Sequence, residues 1–128
     1  MPERPNPSKE RGAVWTLKRE AYERLGIPVK ERRPWIIVQS DDFGLHGTRM
    51  ACPFTSCFRK DESGQRTDET KEPRDTQVSV IWKAREPSLI SCDDIYTIKV
   101  REFDHFFGLL TDLLPLIDEK LKLALGLK

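Results

Sequence analysis

Apolar residues recur at two spacings along this 128-residue chain, and the switch between them separates a β-rich body from a helical end. Ala13-Val14-Trp15-Thr16-Leu17 places apolar side chains at alternate positions after Gly12, which predicts a first strand. A second is expected over residues 35–40, where Trp-Ile-Ile-Val stops at the turn chemistry of Asp41-Asp42-Phe43-Gly44-Leu45-His46-Gly47. The third, Met50-Ala51-Cys52-Pro53-Phe54-Thr55-Ser56, contains a proline that marks an edge strand or a bulge. Residues 77–82, 87–92 and 95–98 read as further strand pieces, the last two interrupted at Asp93-Asp94. Near the C-terminus the spacing lengthens. Leu113, Ile117, Leu121 and Leu125 repeat every four residues, with Leu116 and Ala124 widening the stripe, which predicts an amphipathic helix. Thr111 or Asp112 would cap it, Pro115 suits its first turn, and Gly126 would close it.

The segments between these elements are less patterned. Residues 18–32 are charged and broken by Gly26 and Pro28, with a short helix over 19–25 ending at Gly26. Connections this long are more often functional than inert. Residues 57–76 are charged without a hydrophobic period, so a long exposed loop or an extended hairpin tip is expected. Residues 100–108, with Phe103, Phe106 and Phe107, read as a short helix or turn. About six short strands and one amphipathic helix indicate a mainly β (α+β) fold, a small bent sheet or barrel with helices at its end.

Composition narrows the class. The length suits one domain over residues 11–128, with a proline- and charge-rich start, residues 1–10, expected to be a disordered tail. With 38% hydrophobic and 34% charged residues the core must be lean, which favours a self-complementary homodimer. No run approaches the ~20 apolar residues of a membrane span, and no signal peptide is visible, so a cytoplasmic protein is expected. Cys52, Cys57 and Cys92 lack metal-ligand spacing, and His46 and His105 lie far apart, so neither a metal nor any other cofactor is expected.

The net charge of +1 is unevenly distributed. Residues 1–40 carry nine Lys/Arg against five Glu, whereas the remainder carries thirteen against sixteen acids. Such a local positive field attracts a phosphodiester. Within it, Arg33 stands at the mouth of the second strand, while Thr55 and Ser56 stand at the end of the third. A permanently charged guanidinium and a hydroxyl on neighbouring strand ends form a plausible phosphate cradle. Asp93-Asp94 is either a turn or a carboxylate aimed at that cradle.

Three landmarks occur in order: Arg11-Gly12-Ala13-Val14-Trp15, Arg33-Pro34 opening an Ile/Val strand into Ser40-Asp41, and Cys52-Pro53-Phe54-Thr55-Ser56. With Asp94-Ile95-Tyr96-Thr97-Ile98 and the last helix, they make residues 11–127 resemble the MazF/PemK toxins. The resemblance implies an SH3-like barrel of the CcdB/PemK type, a two-fold homodimer and an antitoxin partner filling the substrate groove. It implies a metal-independent, sequence-selective endoribonuclease of type II toxin-antitoxin systems. Such an enzyme cleaves single-stranded RNA (mRNA) to 2',3'-cyclic phosphate and 5'-hydroxyl ends. Carried onto this chain, Arg33 and Thr55 would be catalytic, and Lys30, Ser56 and Asp93 would contact RNA. The 18–32 segment would lie over the groove, and Arg59, Lys60 and Arg66 belong either to an RNA-selecting flap or to solvated padding. Ser91 stands where some members carry an arginine proposed as an acid, which leaves Arg33 without that helper. Arg33 itself is a poor base, its pKa exceeding ~12. Asp93 is the candidate base, with a turn carboxylate as the equal alternative.

Two other readings exist. One is a non-nuclease topoisomerase poison of the CcdB type, although Leu125-Gly126-Leu127-Lys128 lacks that group's aromatic tail. The other is an SH3-like binding module using Trp15, Trp35 and Trp82 as a ligand cage, although these are more simply strand-core residues.

Overall fold

The computed structural model describes residues 9–28, 33–39, 47–81 and 87–127. The expectations for residues 1–8, Lys30, Ser40, the 41–46 turn with His46, and Trp82 lie outside them. In chain order the elements are β1 (Ala13–Leu17), α1 (Arg19–Leu25), β2 (Trp35–Ile37), β3 (Thr48–Ser56), β4 (Phe58–Lys60) and β5 (Arg66–Thr70). They continue with β6 (Gln77–Val80), β7 (Ser88–Ser91), β8 (Tyr96–Lys99), β9 (Phe103–Leu109) and α2 (Leu114–Ala124).

The main sheet runs β6-β7-β3-β2-β1-β9, with β8 also on β3, and every pairing is antiparallel. The expected barrel is therefore an open sheet among the described residues, with β6 and β9 ending the path. β3 organises it. One side pairs with β2 from Ala51 to Pro53, while the other passes from β8, ending at Ala51, to β7, starting at Phe54. Phe54 N donates to Pro34 O on the β2 side, so the ring nitrogen of Pro53 faces the opposite side, into the gap between β8 and β7. The ladder needs no donor there, which is why a central strand tolerates this proline.

Alternation splits the core between the two faces. Val14, Ile36, Cys52, Phe54, Val78 and Ile90 pack with Ile117 of α2 on one. Trp15, Leu17, Trp35, Ile37, Ala51 and Ile98 pack with Ala21 and Tyr22 of α1 on the other. Trp15 and Trp35 are thus core residues, and the Trp35 indole N–H donates to the Tyr22 hydroxyl over 3.2 Å. Arg11 fastens α2 to the sheet by pairing with Asp118 and donating to Val38 O.

Several expectations hold in detail. α1 ends at Gly26, whose φ of 71° lets its N–H bond to Glu23 O. The charged stretch forms the β4–β5 hairpin, its turn organised by the Asp61 carboxylate accepting from the amides of Ser63 and Gln65. Other expectations need correction. Residues 100–102 are a single 3-10 turn, and Phe103–Leu109 is β9, an edge strand on β1. Register shifts in the β1–β9 ladder disrupt the alternation that would have announced a strand. At α2, Leu113 occupies the N-cap without a side-chain bond, and Thr111 contributes only its carbonyl, to Leu114 N. Leu116 and Leu125 are exposed, so the buried stripe is narrower than predicted. No helix among the described residues is long and apolar enough to cross a membrane.

Candidate active site

Strand register brings Arg33 and Thr55 together. Trp35 pairs with Pro53, so the residue two before the first lies across from the residue two after the second. Pro34 favours an extended Arg33, which continues the line of β2. The Arg33 Nη1 donates to Thr55 Oγ1 over 3.1 Å, a part-buried bond between side chains 22 residues apart.

That bond stands between two open hollows. Arg33 lines one of about 260 Å³ with Tyr22, Ile27, Trp35 and Lys60. Thr55 lines the other, about 390 Å³, with Lys71, Arg74, Gln77, Ser91 and Asp94. Pro53 and Phe54 border both, so the hollows meet along β3. The larger falls within the ~300–1,000 Å³ usual for small-ligand sites.

The far wall of the Thr55 hollow is built by the β6–β7 pairing, which sets Gln77 opposite Ser91. The buried Gln77 amide donates to Ser91 Oγ over 3.2 Å, and its Oε1 accepts from Arg74 N over 2.9 Å. Beyond them the Arg74 Nη2 pairs with Asp93 Oδ2 at 3.3 Å. Asp94, next along the turn, lines the hollow itself. Partial desolvation, and then the neighbouring Asp93 charge, push its carboxyl above the usual carboxylate value, against the opposing pull of Arg74.

Of the sequence-predicted residues, Arg33 and Thr55 share one bond. Asp93 pairs with Arg74 and does not line the hollow, whereas Asp94 does. Ser56 follows Thr55 on an extended strand and so turns to the α2 face, its hydroxyl accepting from Phe58 N. Lys30 lies outside the described residues. Ser91 is buried against Gln77. Sequence reasoning missed Arg74, Lys71 and Gln77, because only the pairing of distant strands distinguishes them from the other polar residues of their stretch.

Other reactive groups are poorly suited to chemistry here. Burial raises the Cys52 thiol far out of the titrating range and pushes Cys92 up to about 11, so both are protonated thiols at neutral pH. His105 lies on β9, three strands from β3 in the sheet order.

Solved structures share this arrangement of strands and helices. A mycobacterial endoribonuclease, solved in complex with its cognate antitoxin, is 19% identical; the match covers 94% of this chain and 98% of that one, with a TM-score of 0.67. The Mycobacterium tuberculosis toxin MazF-mt6 is 20% identical over 91% and 98% of the two chains, with a TM-score of 0.63. The Deinococcus radiodurans MazE–MazF structure gives 17%, 93% and 96%, with a TM-score of 0.61. At these identities the likeness speaks for the fold. No curated protein sequence matches significantly. A family sequence profile does match, over residues 10–125, from the Arg11 that anchors α2, through the Arg33–Thr55 pair, to the end of α2. The chain belongs to the PemK-like, MazF-like toxins of type II toxin-antitoxin systems.

Proposed function

We propose that this toxin is a metal-independent endoribonuclease that cuts single-stranded RNA, mRNA included, and so stops translation and growth. The reading rests on one observation, the Arg33–Thr55 hydrogen bond between two open hollows. Cleavage requires the ribose 2'-hydroxyl to attack the adjacent phosphorus, leaving a 2',3'-cyclic phosphate and a 5'-hydroxyl. Arg33 remains charged at any physiological pH and donates to the phosphorane oxygens as negative charge builds on them. Thr55, whose oxygen already accepts from Arg33, turns its own O–H to a non-bridging oxygen.

Of the two turn acids, Asp94 is better suited than Asp93 to take the 2'-hydroxyl proton. It borders the same hollow as Thr55, and its raised pKa moves it toward the range useful to a general base. Asp93 and Lys30 are assigned to contacts along the RNA strand by the family resemblance, whereas Ser56, on the α2 face, is not. The neighbouring mycobacterial endoribonuclease with its antitoxin, and the MazE–MazF structure, support an antitoxin as partner of this chain. The exposed Leu116, Leu123, Leu125 and Leu127 suit a homodimer.

The test is to incubate purified protein with mixed-sequence RNA in EDTA and map the cuts. Discrete cleavage leaving 2',3'-cyclic ends, abolished by Arg33→Ala and Thr55→Ala, is expected. Intact RNA together with gyrase inhibition would replace this reading with that of a topoisomerase poison.

A further inference from the structure

We infer that Arg74 is a second phosphate-binding residue of this cleft and holds the phosphate next to the one cradled by Arg33 and Thr55. The inference deepens the nuclease reading and rests on it for the identity of the ligand. Three observations carry it. Arg74 borders the hollow that contains Thr55, so a strand whose scissile phosphate lies at Thr55 continues past the Arg74 guanidinium.

The residue is also held at both ends. Its backbone N–H donates to Gln77 Oε1 and its carbonyl accepts from Gln77 N, both at 2.9 Å. Gln77 is itself only 8% exposed and locked to Ser91, which is 3% exposed. At the tip, Nη2 alone meets Asp93, at 3.3 and 3.5 Å to its two oxygens. The guanidinium has five N–H donors, so one nitrogen can stay on Asp93 while the rest of the fork takes an anion. Its side chain is 62% exposed, within reach of solvent and of a bound strand.

The third observation is the charge on the walls. Lys71 and Arg74 line the hollow together with Glu72 and Asp94, while Ser91 and Gln77 contribute no charge. Without Arg74 a phosphate would meet two carboxylates and one ammonium, and repulsion would prevail. The guanidinium cancels that excess, two cations then standing against two carboxylates, and offers the phosphate a fork of donors.

The experiment measures fluorescence anisotropy of labelled single-stranded RNA with Arg33→Ala protein, so that no cleavage is needed, over a range of salt. Adding Arg74→Ala should weaken binding about 10-fold and reduce the slope of log affinity against log salt by about 0.7, the loss of one phosphate contact on a single strand. Arg74→Lys should restore the slope and part of the affinity. Oligonucleotides with a neutral methylphosphonate at each linkage in turn locate the contact. At the linkage adjacent to the cut, Arg74→Ala should cause no further loss. An unchanged slope, or losses that add at every linkage, would overturn the proposal while leaving cleavage by the wild-type chain intact. If the wild-type chain cuts nothing, the nuclease reading falls and the slope still decides whether Arg74 binds phosphate. If the chain binds no RNA, both fall.

Discussion

Arg33 donates to Thr55 because the β2–β3 register, continued two residues beyond Trp35 and Pro53, sets the two side chains across from each other. The bond aligns a planar fork, not merely a charge. Arg33→Lys keeps the charge but loses parallel donation, and should retain only about one-tenth to one-hundredth of wild-type kcat/KM on a mapped RNA substrate. Arg33→Ala should fall by about 100- to 1000-fold, as expected when a transition-state donor is lost. Thermal melts of both should match wild type, since the side chain is not part of either core cluster.

Thr55 tests the hydroxyl separately. Thr55→Val keeps the β-branched shape that β3 favours and removes only the donor. Its kcat should fall by about 10- to 100-fold, whereas Thr55→Ser should stay within a few-fold of wild type. Equal losses in the two variants would mean that Thr55 serves packing against Leu89 in the β3–β7 ladder and not the phosphate.

How much of this was legible follows from distance along the chain. Arg33 and Thr55 were visible because each marks the end of a strand with a clear apolar pattern, and two antiparallel neighbours bring such ends together. The period-two rule alone already implied that Ser56 could not share the face of Thr55. Arg74 was not visible, and Asp94 was visible only as half of the Asp93-Asp94 pair, with nothing local to choose between the two. Their meeting depends on β6 pairing with β7, and nothing local separates Arg74 from Arg59 or Arg66. β9 was hidden for another reason, since its register shifts against β1 break the alternation by which strands are recognised. The helix period of α2 was plain, but its cap was not, because Leu113 begins the helix through backbone turns alone.

Asp94 predicts a pH dependence with opposite signs for activity and stability. Its carboxyl is raised above the ordinary value, so the folded state binds its proton more tightly than the unfolded chain. Its contribution to stability is therefore full below the unfolded pKa and is lost as pH rises through the folded one. Asp94→Asn should melt at or slightly above the wild-type temperature at pH 7. The same change should lower kcat/KM and flatten the rise in rate that wild type shows as the carboxyl ionises. A variant with an unaltered pH–rate profile would remove Asp94 as the base.

Ile117 separates packing from chemistry. It is fully buried on the face opposite the Arg33–Thr55 bond, against a cluster that includes Val78 and Ile90 of β6 and β7. Ile117→Ala should cost about 2–5 kcal/mol in urea unfolding. Ile81→Ala, at a residue 72% exposed, should change stability by no more than about 0.5 kcal/mol. Specific activity per folded molecule should be the same in both.

Glu102 ties α1 to the sheet, and its prediction is one of acid sensitivity. Only 2% exposed, it accepts from Arg24 Nε and Nη2 at 2.8 and 2.6 Å and from Lys99 N at 2.8 Å. Arg24 also donates to Thr97 O, so α1, whose Tyr22 borders the Arg33 hollow, is held against β8. The Arg24 hydrogen bonds hold the Glu102 carboxyl below its ordinary value of 4.5. Stability from this pair is thus present above the unfolded pKa and lost as pH falls through the folded one. Glu102→Ala should cost about 2–3 kcal/mol at pH 7, less than a fully buried pair because Arg24 is one-third exposed. Urea midpoints of wild type and variant should converge as pH falls through the lowered folded-state pKa of the Glu102 carboxyl. A difference that stays constant down to pH 2 would show that Glu102 acts through packing alone.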